Sequence, residues 1–198
     1  MAARTARSER SREMIVAAAA DALVDGDGDF ELQEVARRAG VSVGLPYHRF
    51  GSKSGLIAAV VDNFYDELDQ AIDLSDLPPD DWTVRERERI SSLIDFLYDH
   101  PLAAIIISRL ARDPGVAAVE GERWRRVIAL AARNIAKGQQ RGQIPTQYDP
   151  DILAAMICGG VRHAAGQALA ADPRPTREAL TRELWDFILG GLRLPAPA

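Results

Sequence analysis

The chain has 198 residues, of which 47% are hydrophobic and 27% are charged, and its formal net charge is −5. These proportions are typical of a globular protein and exclude a disordered chain, and no apolar run approaches the roughly 20 residues that a membrane span needs. Cys158 is the only cysteine, which excludes an intrachain disulfide and a thiolate metal cluster and is compatible with a reducing cytoplasm.

The charge is distributed unevenly along the chain. Residues 1–55 hold eight basic and eight acidic side chains, whereas residues 56–198 hold 16 basic and 21 acidic ones. The first twelve residues carry four arginines against one glutamate, and we expect no secretory signal there. A locally neutral N-terminal part with a basic start permits contact with nucleic acid without requiring it.

The N-terminal residues 1–9 are predicted to form an arm, which is either a solvated tail or a segment that contacts DNA. A helix is predicted from about Ser8 to Val24, because apolar side chains such as Ile15 and Leu23 fall on one face of it. The stretch DGDGD at 25–29 ends this helix. It resembles part of a calcium loop, but the terminal glutamate ligand is missing, so a turn is favoured and no metal is expected.

The stretch 32–53 predicts two short helices joined by a tight turn. Gly40 suits the left-handed conformation at the end of a helix, and Ser42 suits the cap of the next one. Apolar side chains recur at helical offsets on both sides of the turn, at Leu32, Val35, Ala36, Ala39, Val43, Tyr47 and Phe50. The pattern indicates a helix-turn-helix, whose second helix lies in the DNA major groove.

Three short motifs in this region occur in the order typical of a known family. They are VARRAGVS at 35–42, GLPYHRF at 44–50 and SKSGL at 52–56. Residues 14–64 thereby resemble the N-terminal domain of the tetracycline-repressor-like (TetR) family of bacterial transcriptional regulators. The resemblance implies an all-α fold with a DNA-binding domain at 1–55 and an effector-binding and dimerisation domain at 56–198. It also implies a homodimeric cytoplasmic repressor that binds a palindromic operator in duplex DNA and is released by a small-molecule effector.

The recognition helix is predicted from Val43 to about Phe50. Tyr47 is placed to give its hydroxyl to a phosphate, and Arg49 is placed to bond guanine. Pro46 either distorts the helix start or touches a thymine methyl, while His48 is equally explained as a surface histidine. We expect DNA contacts from Ser42, Val43, Gly44, Leu45, Pro46, Tyr47, His48, Arg49 and Lys53. The ammonium of Lys53, at the positive end of the next helix, needs an anion, which a phosphate would supply.

The rest of the chain is also predicted to be helical, which gives about nine helices in the whole chain. A proline-containing linker is predicted at 74–81. A capping box at 83–86 opens one helix, and Asp149 and Thr176 begin the last two. The stretch 102–110 is predicted to be a short buried helix, although its three isoleucines also allow a strand.

The last helix is apolar on more than one face, so it needs two partners. One is its own core, and the other is inferred to be a second subunit, although a simply buried terminal helix is the alternative. The expected dimer contacts are Ile157, Val161, Leu184, Trp185, Ile188 and Leu192. Candidate effector contacts are Phe64, Phe96, Ile106, Trp124, Met156 and His163, for each of which plain core packing is an alternative.

No Ser-His-Asp arrangement, glycine-rich phosphate loop or HExxH motif is present, so no enzymatic activity, cofactor or metal is expected. The alternative to a DNA-binding regulator is a helical module that binds a small molecule or protein and whose helix-turn-helix has lost DNA binding. Pro46 would be the damaging feature in that case.

Overall fold

A computed structural model describes residues 2–72, 74, 81–110 and 113–192 of the chain. The described residues form eight α-helices and one π-helical segment, and none of them lies in a strand. The helices are α1 Ala2–Asp25, α2 Leu32–Arg38, α3 Gly44–Phe50, α4 Lys53–Ala71, α5 Trp82–Asp99, the π-helical segment Ile105–Arg109, α6 Pro114–Gln140, α7 Pro150–Ala170 and α8 Arg177–Leu192. The prediction of an all-α fold with about nine helices is confirmed.

Several local predictions are corrected. Residues 2–9 belong to α1 rather than to an arm, because 2–25 contain no glycine or proline and are rich in alanine and arginine, which favour a helix. The segment Ile105–Arg109 is π-helical, so the strand alternative is wrong there. Most of the predicted linker at 74–81 lies outside the described residues.

One compact unit, unit 1, comprises Met1–Glu67 and Pro101–Glu120. Within it α2 packs against α1 and α3, and its largest fully buried side chains include Ile15, Leu23 and Phe64. Unit 1 therefore contains the whole predicted helix-turn-helix and the π-helical segment. The functional division at residues 55 and 56 remains a prediction.

The second compact unit, unit 2, comprises Leu68–His100 and Gly121–Ala198, and in it α5, α7 and α8 pack against one another. Its helix starts are capped by side chains. The Asp149 carboxylate accepts hydrogen bonds from the N–H groups of Asp151 and Ile152, as a cap should. The cap of α5 is Asp81, which accepts from the Val84 N–H at 3.0 Å, and not the predicted box that begins at Thr83.

Helix α7 is long and apolar enough, by length and composition, to cross a membrane. A helix buried in a protein core passes the same test, so this is a weak signal. Six residues of α7 are buried, and the helix packs against α8 and α5. Part of its apolar surface is therefore covered within unit 2.

The DGDGD loop of unit 1 is held by ion pairs. Asp25 pairs with Arg38 at 2.6 Å, Asp27 pairs with Arg109, and Asp29 pairs with Lys53. Each carboxylate therefore has its own cation, which favours the turn over a calcium loop. In the described part of the chain, no group of three His, Cys, Asp or Glu side chains is placed to hold a metal ion.

A second charge cluster lies on α2, where Glu34 binds two arginines. The guanidinium of Arg37 lies 2.6 Å from the Glu34 carboxylate, and that of Arg38 lies 2.8 Å from it. Hydrogen bonds from Arg37 and then Arg38 lower the pKa of Glu34 to about 2. Because Arg38 also reaches Asp25, this cluster ties α2 to the end of α1.

We predict opposite effects of alanine at two glycines that both have open space around them. Gly40 has a φ of 64° and nothing within 4 Å of an added Cβ, so Gly40→Ala should destabilise by about 1–2 kcal/mol through backbone conformation alone. Gly121, inside α6, is the matched control, where alanine should stabilise by about 0.5–1 kcal/mol. Urea unfolding measures both, and a shift in the same direction would contradict the assignment.

We predict that the Glu34 carboxyl titrates near pH 2 in the folded protein, compared with 4.5 as its ordinary value. Because the folded pKa is the lower one, its pairing stabilises the fold above about pH 4.5, and this contribution is lost as the pH falls towards 2. Carboxyl NMR of the wild type and of Arg38→Gln measures the pKa of Glu34, which should be higher in the variant. A wild-type midpoint near 4.5 would show that the cluster does not form.

Candidate nucleic-acid interface

The turn between α2 and α3 is closed by two backbone hydrogen bonds. The Gly40 N–H donates to the Arg37 carbonyl at 3.2 Å, and the Val41 N–H donates to the Ala36 carbonyl at 3.0 Å. This pair of bonds around a left-handed glycine is the Schellman arrangement, which satisfies carbonyls that the end of α2 leaves free. The predicted role of Gly40 is confirmed, and the turn sets the direction in which the chain enters α3.

Helix α3 begins at Gly44, one residue later than predicted. The Leu45 N–H donates to the Ser42 carbonyl at 2.9 Å, and no side chain caps the helix. Pro46 is consequently the third helical residue, in the first turn, where its missing N–H removes no helical hydrogen bond. The expected distortion is therefore absent, because α3 continues from Gly44 to Phe50.

Gly51 and Ser52 separate α3 from α4. Gly51 has a φ of 73°, and its N–H donates to the Tyr47 carbonyl at 2.8 Å. The Ser52 hydroxyl accepts a hydrogen bond from the Gly55 N–H at 2.9 Å, so its predicted role as the cap of α4 is confirmed.

Lys53, at the start of α4, already has an anionic partner. Its ammonium pairs with the Asp29 carboxylate and lies 5.3 Å from the centre of the Phe30 ring. The hydrogen bond from Lys53 holds the pKa of Asp29 below its ordinary value. The anion that we expected from DNA is thus supplied by the protein itself, and a phosphate would have to compete with Asp29.

The predicted DNA contacts differ in their exposure. Tyr47 and Val43 are large and apolar but 63% and 58% exposed, whereas Leu45, Arg49 and Lys53 are half-buried. The other exposed residues of the set are Ser42, Gly44 and His48. Pro46 is buried, which corrects the expectation that its ring reaches a thymine methyl.

A groove of about 480 Å³ lies beside α3 in unit 1, and we call it the α1–α3 groove. It is lined by His48 and Arg49 of α3 together with Ser8, Arg12, Leu45, Phe50 and Ala59. Ser8 and Arg12 were not among the predicted contacts. Their spacing of four residues, which places both on one face of α1, was the available signal.

The six candidate effector contacts are divided between the two units. Phe64 and Ile106 are buried in unit 1, whereas Phe96 and Trp124 are half-buried in unit 2. Met156 is 66% exposed and His163 is also exposed, so the expectation that these two line an internal pocket is corrected. They lie seven residues apart, about two turns, and so share one side of α7.

The expected dimer contacts are also corrected, because most of them are buried within the chain. The buried ones are Val161, Leu184, Trp185, Ile188 and Leu192, while Ile157 is half-buried. They form the inner face of α7 and α8. The apolar side chains left outside are Ile152, Met156 and Phe187, which are 63%, 66% and 70% exposed.

Comparison with known proteins agrees with this architecture. Residues 15–60 match the family of bacterial regulatory proteins described as the tetR family. The A-factor receptor protein of Streptomyces griseus is 27% identical over 200 residues, which cover 98% of this chain and 67% of that protein.

Two solved structures have the same fold. A TetR-family transcriptional regulator from Pectobacterium atrosepticum matches with a TM-score of 0.75 and 25% identity over 98% of both chains. The regulator FadR from Bacillus subtilis, in complex with stearoyl-CoA, matches with a TM-score of 0.73 and 18% identity over 90% of this chain and 98% of that one. Together with the helix-turn-helix in unit 1, these matches identify the chain as a transcriptional regulator that belongs to the tetR family of bacterial regulatory proteins.

Proposed function

We propose that this regulator is a cytoplasmic homodimeric repressor, which binds a palindromic operator through α3 and leaves it when a small molecule binds. The observation that carries the DNA-binding part is the exposure of Tyr47 on α3 and of Val43 at its N-cap, shortly after a Schellman turn. A helix pair that served only as packing would bury such side chains, since their exposure leaves apolar surface in water. Duplex DNA offers them phosphates and thymine methyl groups.

The contacts that we propose are divided between the two ends of α3. Ser42, Val43 and Gly44 lie at its start and approach the bases, because all three are exposed and Gly44 has no side chain to hold the backbone away. Leu45 and His48 follow on the same helix. Tyr47 and Lys53 reach phosphates, and Lys53 does so by exchanging its pair with Asp29. Pro46 is left out of the contact surface because it is buried.

A second copy of the chain is the occupant that we propose for the outer face of α7 and α8. Ile152, Met156 and Phe187 are exposed there, and alanine side chains added at Gly159 or Gly190 would meet nothing within 4 Å. Large apolar side chains beside such bare backbone form a surface on which two helix pairs can approach closely. A two-fold dimer presents two recognition helices to half-sites about 34–36 Å apart, which one short helix cannot do.

The effector part of the proposal is supported by relatives. The related protein from Streptomyces griseus is a receptor for A-factor, and the FadR structure holds stearoyl-CoA. The dimer would have one conformation whose recognition helices match the operator half-sites and another whose helices do not. A small molecule that binds the second conformation more tightly would lower DNA affinity, by at most the difference between its affinities for the two conformations. Our candidate contacts for it remain Phe64 and Ile106 within unit 1 and Phe96 and Trp124 within unit 2, taken as two separate sets.

No catalytic role is proposed. Burial raises the pKa of the Cys158 thiol to about 11, so at neutral pH the reactive thiolate is scarce. The alternative, a helical module with a damaged helix-turn-helix, is not favoured, because Pro46 leaves α3 continuous.

The test of DNA binding is selection of duplexes from a random pool, followed by measurement of two variants. Tyr47→Phe and Lys53→Ala should each weaken binding to the selected operator about tenfold, because each loses a phosphate contact worth on the order of 1–1.5 kcal/mol. Lys137→Ala, at the exposed lysine of α6, is the matched control and should bind as wild type does. Stearoyl-CoA and A-factor are then added to the complex.

An enriched half-site repeated with two-fold symmetry supports the proposal, as does release by either molecule. If no sequence is enriched and no duplex is bound, the chain does not act by binding DNA. If a duplex is bound but both variants behave like Lys137→Ala, the assignment of Tyr47 and Lys53 is wrong.

If the outer face of α7 and α8 is the dimer surface, Phe187→Glu should yield a monomer. The carboxylate of the new glutamate would otherwise be buried in the interface without a partner. Val84→Glu, at an apolar residue of α5 that is 43% exposed, is the matched control and should leave the dimer intact. Sedimentation velocity measures both. A Phe187→Glu protein that remains dimeric would place the interface elsewhere.

A further inference from the structure

The α1–α3 groove concentrates positive charge without carboxylates to neutralise it. Arg12 of α1 and Arg49 of α3 both line it, and His48 lies beside them. In the part of the chain that the structure describes, no carboxylate forms an ion pair with Arg12 or Arg49. The groove differs in this respect from the surroundings of Arg37, Arg38 and Arg109, which also belong to unit 1.

These three arginines are neutralised. Arg37 and Arg38 pair with Glu34, and Arg109 pairs with Asp27. Because an ion pair lowers the attraction of a cation for a further anion, these three residues have little charge to offer DNA. Arg12 and Arg49 keep theirs.

The side chain of Arg49 also has an unused donor. Its Nε is buried and has no hydrogen-bond acceptor among the described residues. A buried donor without an acceptor is unfavourable, so a ligand that brings an oxygen to this position would be bound more tightly than one that does not. The guanidinium is planar, with several N–H groups that match the oxygens of a phosphate.

We propose that the α1–α3 groove binds a backbone phosphate of the duplex, held by Arg12 and Arg49 and completed by the Ser8 hydroxyl. The inference rests on the proposed DNA binding and deepens it, since it adds α1 to the contact surface. It also reassigns Arg49 from guanine to phosphate. A helix with side chains is about 10–12 Å across and the major groove is about 12 Å wide, so the phosphates run alongside a docked α3.

A phosphate contact and a base contact make different predictions. Loss of a phosphate contact weakens binding to all sequences alike and lowers the salt dependence, whereas loss of a guanine contact relaxes specificity at one base pair. The slope of log K against log salt should fall by about 0.9 for each phosphate lost. Because a dimer has two such grooves, one variant should lower the slope by about 1.8.

The experiment measures this slope for Arg12→Gln and Arg49→Gln, on the selected operator and on a duplex of shuffled sequence. Arg10→Gln is the matched control, because Arg10 is exposed on α1 but does not line the groove. Arg12→Lys keeps the charge and should retain the wild-type slope. Circular dichroism and thermal unfolding verify that each variant is folded.

The expected result is a lower slope for both groove variants on both duplexes, with Arg10→Gln and Arg12→Lys close to wild type. If Arg12→Gln and Arg49→Gln behave like Arg10→Gln while Tyr47→Phe weakens binding, the groove proposal is overturned and the DNA-binding function stands. If wild type binds no duplex, both proposals fail. A loss of preference at one base pair in Arg49→Gln, with an unchanged slope, would restore the guanine contact.

A free phosphate is the other source of the same chemistry. Inorganic phosphate is therefore titrated into the DNA-free protein at constant ionic strength, and the amide and side-chain N–H signals of Arg12 and Arg49 are followed by NMR. No saturable shift is expected at millimolar phosphate. A saturable shift that is absent in Arg12→Gln, together with a salt dependence of DNA binding that this variant leaves unchanged, would show that the groove binds free phosphate and not a phosphate of the duplex.

Discussion

The backbone conformation of Gly40 is the constraint on which the candidate interface depends. Its φ of 64° allows the two hydrogen bonds that close α2 and turn the chain into α3. A residue with a Cβ would resist this conformation although nothing is close enough to collide with it, so the requirement is one of backbone energy and not of space. The direction of α3 follows from this turn, and so does the outward position of Tyr47.

Ion pairs determine which positive charges around the α2–α3 turn are neutralised. The DGDGD loop and Glu34 bind the cations of α2, of the π-helical segment and of the start of α4. Because paired cations attract further anions weakly, the pairs decide which positive charges remain available. A formal net charge of −5 is therefore compatible with a local surface for DNA, since Arg12 and Arg49, which form no ion pair among the described residues, line the groove beside α3.

Helices α7 and α8 of unit 2 each have apolar side chains on two faces, one in the core and one exposed. The inner faces of α7 and α8 hold Leu184, Trp185 and their neighbours in the core, and the outer faces carry Met156 and Phe187. The two sets are interleaved along the same turns, so a list of apolar residues does not separate them. Burial separates them, and it moves the proposed dimer surface from the predicted residues to Ile152, Met156 and Phe187.

Local patterns in the sequence were sufficient for the all-helical fold, the turn at Gly40, the caps at Ser52 and Asp149 and the family resemblance. Each of these depends on residues within about one or two turns of one another, whose conformational preferences act before any long-range contact. The side of a helix that faces a partner, the pairing of Lys53 with Asp29 and the groove between Arg12 and Arg49 depend on segments far apart in the chain. These features are determined only by how the segments pack, because apolar periodicity predicts that a helix face is buried but does not identify the residues that cover it.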